Sequence, residues 1–178
     1  MWMDEEKREF LNKIIRVDHA GEFGAVKIYE GQLAVLKDSP YGQKIEAMKD
    51  QEVEHLNTFN KLIRERRIRP TALSPIWGIG AYAMGFGTAL LGKEAAMACT
   101  EAVEDVISKH YNDQLREVLQ SNPDDEQLRQ ILKQFRDDEQ EHQETAIQHN
   151  SRDAPMYNIL YPSIKFITET AVWVATKI

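Results

Sequence analysis

With 178 residues, 42% of them hydrophobic, the chain is long enough to bury a core and short enough to be read as one domain spanning residues 1–178. A formal net charge of −7 argues against nucleic acid as a partner, because phosphate backbones call for a basic surface. The lone cysteine, Cys99, excludes a disulfide framework or a thiolate cluster and reads as a small buried apolar residue.

The opening stretch, MWMDEEKREF, is acidic and unlike a signal or transit peptide. Helical periodicity dominates the rest of the chain, and no alternating pattern is long enough to predict a strand. A first helix is expected over about residues 5–37, ended by DSPYG, and a second over about 41–68, stopping before Pro70. Residues 71–92 then carry no charge at all. Further helices are expected over about 93–120, closed by SNPDD, and about 124–149. SRDAP separates these from a last apolar helix near 156–176. The fold class is all-α.

The chain repeats itself. YEGQL at residues 29–33 matches YNDQL at 111–115, and DQEVEH at 50–55 matches DDEQEH at 137–142, in the same order. Each half is therefore a helix pair with one internal layout, which predicts a pseudo-twofold four-helix bundle with two additional apolar helices, crossover and C-terminal.

The apolar stripe of each long helix has gaps, and the gaps hold acids. In the first helix Leu11, Ile14, Ile15, Ala25, Tyr29 and Leu33 leave places filled by Asp18 and Glu22; in the fourth, Met97, Ile107, Tyr111 and Leu115 bracket Glu104. Glu52 and His55 sit within the stripe of the second helix, and Glu139 and His142 within that of the fifth. Glu54 and Glu141 lie off the stripes, where solvated acids belong. Burying four carboxylates uncompensated costs several kcal/mol each. No matching set of Lys or Arg lies on those faces, so a metal is the economical counter-charge.

One Glu from each of two helices plus a Glu-x-x-His from each of two others is the donor set of a dimetal carboxylate centre in a helical bundle. Residues three apart share a helix face, so Glu52 with His55 and Glu139 with His142 can reach one metal pair. Carboxylate oxygens with only two imidazoles favour Fe or Mn over Zn or Cu, and two divalent ions offset four carboxylates. The candidate metal ligands are Glu22, Glu52, His55, Glu104, Glu139 and His142. Tyr29 and Tyr111 follow the terminal glutamates by seven residues, either as core aromatics or as hydrogen-bonding or redox partners. Asp18 is expected to orient a ligating imidazole. His110, about a third of a turn off the face of Glu104, is either a pocket residue or a surface histidine. The candidate catalytic set is the four glutamates with Tyr111 and His110.

The uncharged segment is long enough to span a bilayer only just. A span would leave Glu22, Glu52 and His55 on one side and Glu104, Glu139 and His142 on the other, unable to share metals. An interfacial helix or an apolar lid is expected instead. RERRIR, at 64–69, precedes it and either meets anionic headgroups or complements a helix dipole. GIGAYAMGFG is not G-x-G-x-x-G and no strand precedes it, so a dinucleotide site is excluded.

IIRVDHAGEFGA, DQEVEHL, GTALLGKEAAMACTEAVEDVISKHYNDQLR and FRDDEQEH together resemble the demethoxyubiquinone hydroxylases of ubiquinone biosynthesis, over nearly the whole chain from about residue 11. The resemblance implies a ferritin-like di-iron fold in which Glu52 and Glu139 bridge two Fe2+ ions and Glu22 and Glu104 are terminal ligands. It implies a monooxygenase that uses O2 to hydroxylate the ring of a polyprenylated methoxy-benzoquinol, with NADH or the quinone pool as reductant. It also implies a peripheral place on an inner membrane, on the mitochondrial matrix face or the bacterial cytoplasmic face, contact with membrane lipids and, in eukaryotes, a lipid-binding partner protein. The competing expectations are a ferritin-like iron-binding or peroxide-scavenging protein, which has no use for the apolar segment, and a non-catalytic membrane-associated bundle, which holds no stoichiometric metal.

Overall fold

The computed structural model describes residues 5–177, so that Met1 to Asp4 of the acidic opening and Ile178 lie outside the described residues. Six α-helices run in order: α1 (Glu5–Leu36), α2 (Gly42–Arg66), α3 (Ser74–Leu90), α4 (Lys93–Ser121), α5 (Glu126–Gln148) and, after a 3-10 turn at Ser151–Asp153, α6 (Tyr157–Ala175). Among the described residues there is no strand.

The ends of the helices are set by local chemistry. Glu5 and Glu6 occupy the first turn of α1, where acids favour the positive end of the dipole. α2 closes with Arg67 in the left-handed region (φ 54°) and Ile68 N–H returning to the Ile63 carbonyl at 2.9 Å. Asp125 caps α5, its carboxylate accepting from Leu128 N–H at 3.2 Å. Arg66, in the last turn of α2, donates both guanidinium arms to that carboxylate at 2.6 and 3.0 Å. One acid thus starts α5 and ties it to the end of α2.

α1 packs on α2 and α4 on α5. Contacts ascending on one helix and descending on the other make these pairs antiparallel: His19 meets Asn60 and Tyr29 meets Met48 across α1 and α2. α1 also faces α4, and α2 faces α5, in opposite directions. Two hairpins joined by a long crossover give the all-α, ferritin-like bundle that the repeats predict.

The crossover is α3, and it lies along α1 at backbone-contact distance. A Cβ at Gly31 would sit 2.3 Å from the Tyr82 carbonyl oxygen, and one at Gly85 2.0 Å from that of Ile28. Only glycine permits so close a crossing. The uncharged run becomes a helix of 17 residues. Among the described residues no helix is long and apolar enough to cross a membrane. α6 packs on α4, where Glu101 accepts from Tyr157 and Asp105 from Tyr161 and Lys165.

Two apolar clusters fill the bundle. One joins Leu11, Ile15, Phe59, Leu62, Leu132 and Phe135; the other joins Tyr29, Ile45, Met48, Met97 and Ala146. On every long helix the predicted metal ligands fall between the residues of the first cluster and those of the second. They are therefore enclosed at mid-bundle.

Candidate metal centre

α1 brings Glu22 to mid-bundle, α2 brings Glu52 and His55, α4 brings Glu104, and α5 brings Glu139 and His142. None is more than 2% exposed. Their donor atoms form two groups, Glu22–Glu52–His55–Glu139 and Glu52–Glu104–Glu139–His142, each with its atoms within 4.8 Å of one another. Glu52 and Glu139 belong to both. Two donor groups that share two carboxylates fit the ligand set of a binuclear site.

The fit rests on how these atoms are aimed. His55 Nδ1 lies 3.4 Å from Glu22, 3.6 Å from Glu52 and 3.3 Å from Glu139; His142 Nδ1 lies 3.0 Å from Glu52 and 3.3 Å from Glu139. Yet Nδ1 of both imidazoles, Oε2 of Glu22 and all four oxygens of Glu52 and Glu139 are buried and make no hydrogen bond within the protein. Orphaned buried polar atoms demand a partner. Converging on common points rather than on each other, they can hold metal ions.

Burial pushes the Glu22 and Glu104 carboxyls well above the usual range, with the neighbouring carboxylates reinforcing the effect. Burial acts on Glu52 too, but the two imidazoles outweigh it and bring Glu52 down to about 2. His142 is drawn up to about 11 against its own burial by Glu139 and Glu52, and His55 moves the same way. So dense a cluster of acids takes up cations, whether protons or metals, until its charge is nearly cancelled. Metal uptake therefore displaces protons.

Second contacts fix the ligands. His55 Nε2 meets Asp138 Oδ2 at 3.0 Å, and His142 Nε2 meets Gln51 Oε1 at 3.0 Å. Both partners accept from Nε2–H, so each ring keeps its Nε2 proton for them, and the proton that metal uptake displaces is the one on Nδ1, which frees that lone pair inward. Asp138 and Gln51 are the residues immediately before Glu139 and Glu52, so each motif steers the histidine of the other. The tyrosines also cross: Tyr29 on α1 donates to Glu104 at 2.9 Å, and Tyr111 on α4 donates to Glu22. Burial, with the carboxylates near by, raises both phenols well above their ordinary value, so they remain donors.

A cavity of about 750 Å³ lies against this cluster. Glu22, Glu52, Glu104 and Glu139 line one part of it, and apolar side chains such as Val17, Ile28, Trp77 and Met84 line the rest. Ile76, Phe166 and Ile167 belong both to its lining and to the exposed surface, so it opens between α3 and α6.

A model of the family described as "Ubiquinone biosynthesis protein COQ7" matches residues 9–175. The chain belongs to this family. It is 53% identical over 172 residues, 97% of this chain and 79% of the relative, to the NADPH-dependent 3-demethoxyubiquinone 3-hydroxylase, mitochondrial, of Dictyostelium discoideum. The human protein of that name is 45% identical, covering 100% of this chain and 82% of the relative. The 3-demethoxyubiquinol 3-hydroxylase of Rhodospirillum rubrum is 42% identical over 98% and 82% respectively.

In this COQ7-family chain the six predicted ligands come together, and Tyr111 joins them through Glu22. Two other expectations are corrected. Asp18 does not orient a ligating imidazole: its carboxylate accepts from Gln114 at 2.7 Å and faces His110 at 3.6 Å. His110 is not brought to the cluster. It meets buried Gln114 at 2.9 Å and buried Asp18 at 3.6 Å, with 22% of its side chain exposed. The third of a turn that separates it from the face of Glu104 is enough to aim it at Asp18 of α1 instead.

Proposed function

We infer that the chain is a demethoxyubiquinol hydroxylase whose centre would hold two iron ions, Glu22 and His55 serving one, Glu104 and His142 the other, with Glu52 and Glu139 in reach of both. The observation that carries this reading is a six-residue carboxylate–imidazole cluster forming the floor of an otherwise apolar cavity. Iron fits the donor set, oxygen-rich with one imidazole for each ion. When bound, such a centre supplies the activation of O2. The reaction balances as one ring C–H becoming C–OH and the second oxygen atom leaving as water, at the expense of two electrons and two protons. Reduced nicotinamide nucleotide is the electron source in this reading, in keeping with the NADPH that the Dictyostelium and human relatives carry in their names, where the sequence resemblance offers NADH or the quinone pool.

The chain's own residues do the rest. Tyr29 and Tyr111 hold the terminal carboxylates by hydrogen bonds, and Asp138 and Gln51 hold the imidazoles in one tautomer. The apolar walls exclude water from the reacting ring. An isoprenoid tail suits the opening between α3 and α6. At that opening Ile76, Phe166 and Ile167 are exposed, and Ile79, Leu90 and Trp173 are exposed elsewhere on the same two helices, apolar surface suited to lying on a bilayer of the inner membrane.

The test is iron loading without O2, desalting and elemental analysis, then quinol turnover. About two irons per chain and conversion of demethoxyubiquinol to its hydroxylated product are expected. Glu139→Ala removes a ligand from both ions and should abolish turnover while vesicle binding persists; full activity in that variant, or no retained iron in the folded parent, overturns the reading.

A further inference from the structure

The cavity beside the carboxylates lacks side chains at three places in its wall. Gly21 and Gly24 of α1 and Gly80 of α3 line it, and a Cβ built at any of them meets nothing within 4 Å. Three other helical glycines are there for packing: at Gly31, Gly78 and Gly85 a Cβ would press on neighbours at 2.3, 2.8 and 2.0 Å, whereas Gly87, open like the three but away from the cavity, serves as their control. Gly21, Gly24 and Gly80 have no such reason. A glycine inside a helix is less stable than an alanine, and here an alanine would fit. The fold gains nothing from these three omissions, so the space they leave serves whatever enters the cavity.

Their position says which part of the ligand that is. Gly21 and Gly24 flank Glu22 in the sequence, on the stretch of α1 that borders the cluster. The same cavity is bounded by buried carboxylate oxygens of Glu22, Glu52 and Glu139 that have no partner in the protein. A bare helix backbone presents a flat wall, and the object that needs a flat wall beside the reacting centre is a planar ring.

We propose that Gly21, Gly24 and Gly80 form a width gauge that admits the flat ring of a substituted benzoquinol to the metal centre and sets how large its ring substituents can be. This rests on the quinol hydroxylation reading. A single methyl group added at the gauge narrows the slot for the substituted ring and leaves the metal ligands in place. The gauge is thus a specificity determinant, kept at a cost in stability.

The test compares Gly24→Ala and Gly80→Ala with Gly87→Ala, a helical glycine of α3 that also has open space around a Cβ but does not line the cavity. All three should raise Tm by about 2–4 °C, as expected for filling a helical glycine in a chain of this size. Binding of a short-tailed demethoxyubiquinone to the metal-free chain is read by quenching of tryptophan fluorescence, Trp77 being in the same cavity wall. Gly24→Ala and Gly80→Ala should weaken binding, and in the iron-loaded chain lower kcat/KM, about 10- to 200-fold. The loss should be much smaller for a benzoquinone with hydrogen in place of the methyl and methoxy groups. Iron per chain should match the parent, and Gly87→Ala should bind and turn over like the parent. If the parent is active and the gauge variants match it, or lose both quinones equally, the gauge is wrong and the hydroxylase reading stands. If the parent neither binds nor hydroxylates the quinone, the hydroxylase reading itself falls, and the gauge with it.

Discussion

Asp138 and Gln51 decide how firmly the two imidazoles present Nδ1. An acceptor behind a ligating histidine fixes its tautomer and raises its basicity, and loss of such a partner costs about 10- to 100-fold in metal affinity. Asp138→Ala should therefore weaken iron retention by about that factor in a chelator competition, with helix content unchanged; unaltered retention would show that the ring is held by its stacking on Phe135, 3.8 Å between centroids. The clustering of the six candidate ligands was legible in the sequence, because Glu-x-x-His puts both donors on one helical face and that face is otherwise apolar. Asp138 and Gln51 were not. The residue before each Glu is turned about 100° from it, toward a neighbouring helix, and periodicity along one helix says nothing of what that neighbour needs. Asp18 drew the role instead because it sits a turn from Glu22 on the ligand stripe. The repeat held the missed signal: the position before Glu is occupied by a side-chain acceptor in both copies.

At the level of the helix, Asp125 shows an end that is both cap and clasp. Burial tends to raise its carboxyl, but the bonds from Arg66 and from Leu128 N–H outweigh it and the net shift is downward. A carboxyl whose folded value lies below its unfolded value of about 3.9 stabilises the fold above that pH and loses the contribution as acid titrates it in the folded state. Asp125→Ala should thus cost about 1–2 kcal/mol at neutral pH, a fall in Tm of roughly 2–8 °C. The difference between variant and parent should shrink below about pH 4; a difference that persists in acid would mean the carboxylate charge contributes nothing. The helix boundaries were readable to within a few residues, since Pro70, SNPDD and SRDAP punctuate the chain where the helices end. What the letters did not reveal was where the uncharged run would lie. Its placement along α1 depends on Gly31 and Gly85 meeting backbone to backbone, a long-range fit that hydropathy does not encode.

Over the whole molecule, an acidic chain carries one face that is neither acidic nor fully covered. Arg64, Arg67 and Arg69 are exposed ahead of α3, whereas Arg66 is taken up by Asp125, so on the proposed membrane-surface reading three of the four arginines in RERRIR would meet anionic lipid. At about 1 kcal/mol for each basic residue near such a surface, Arg67→Glu with Arg69→Glu should reduce binding to vesicles rich in anionic lipid by tenfold or more, while binding to neutral vesicles, governed by α3 and α6, changes little. Equal binding of variant and parent to both would assign the arginines to the helix terminus alone. The reciprocity at the centre has a consequence for how the two halves depend on each other. Each hairpin lends the other a tyrosine, an acceptor and a carboxylate common to both donor groups, so neither half owns a complete cluster. That is the arrangement of two like hairpins related by a pseudo-twofold axis, so a change in one hairpin is felt first at the ligand positions of the other.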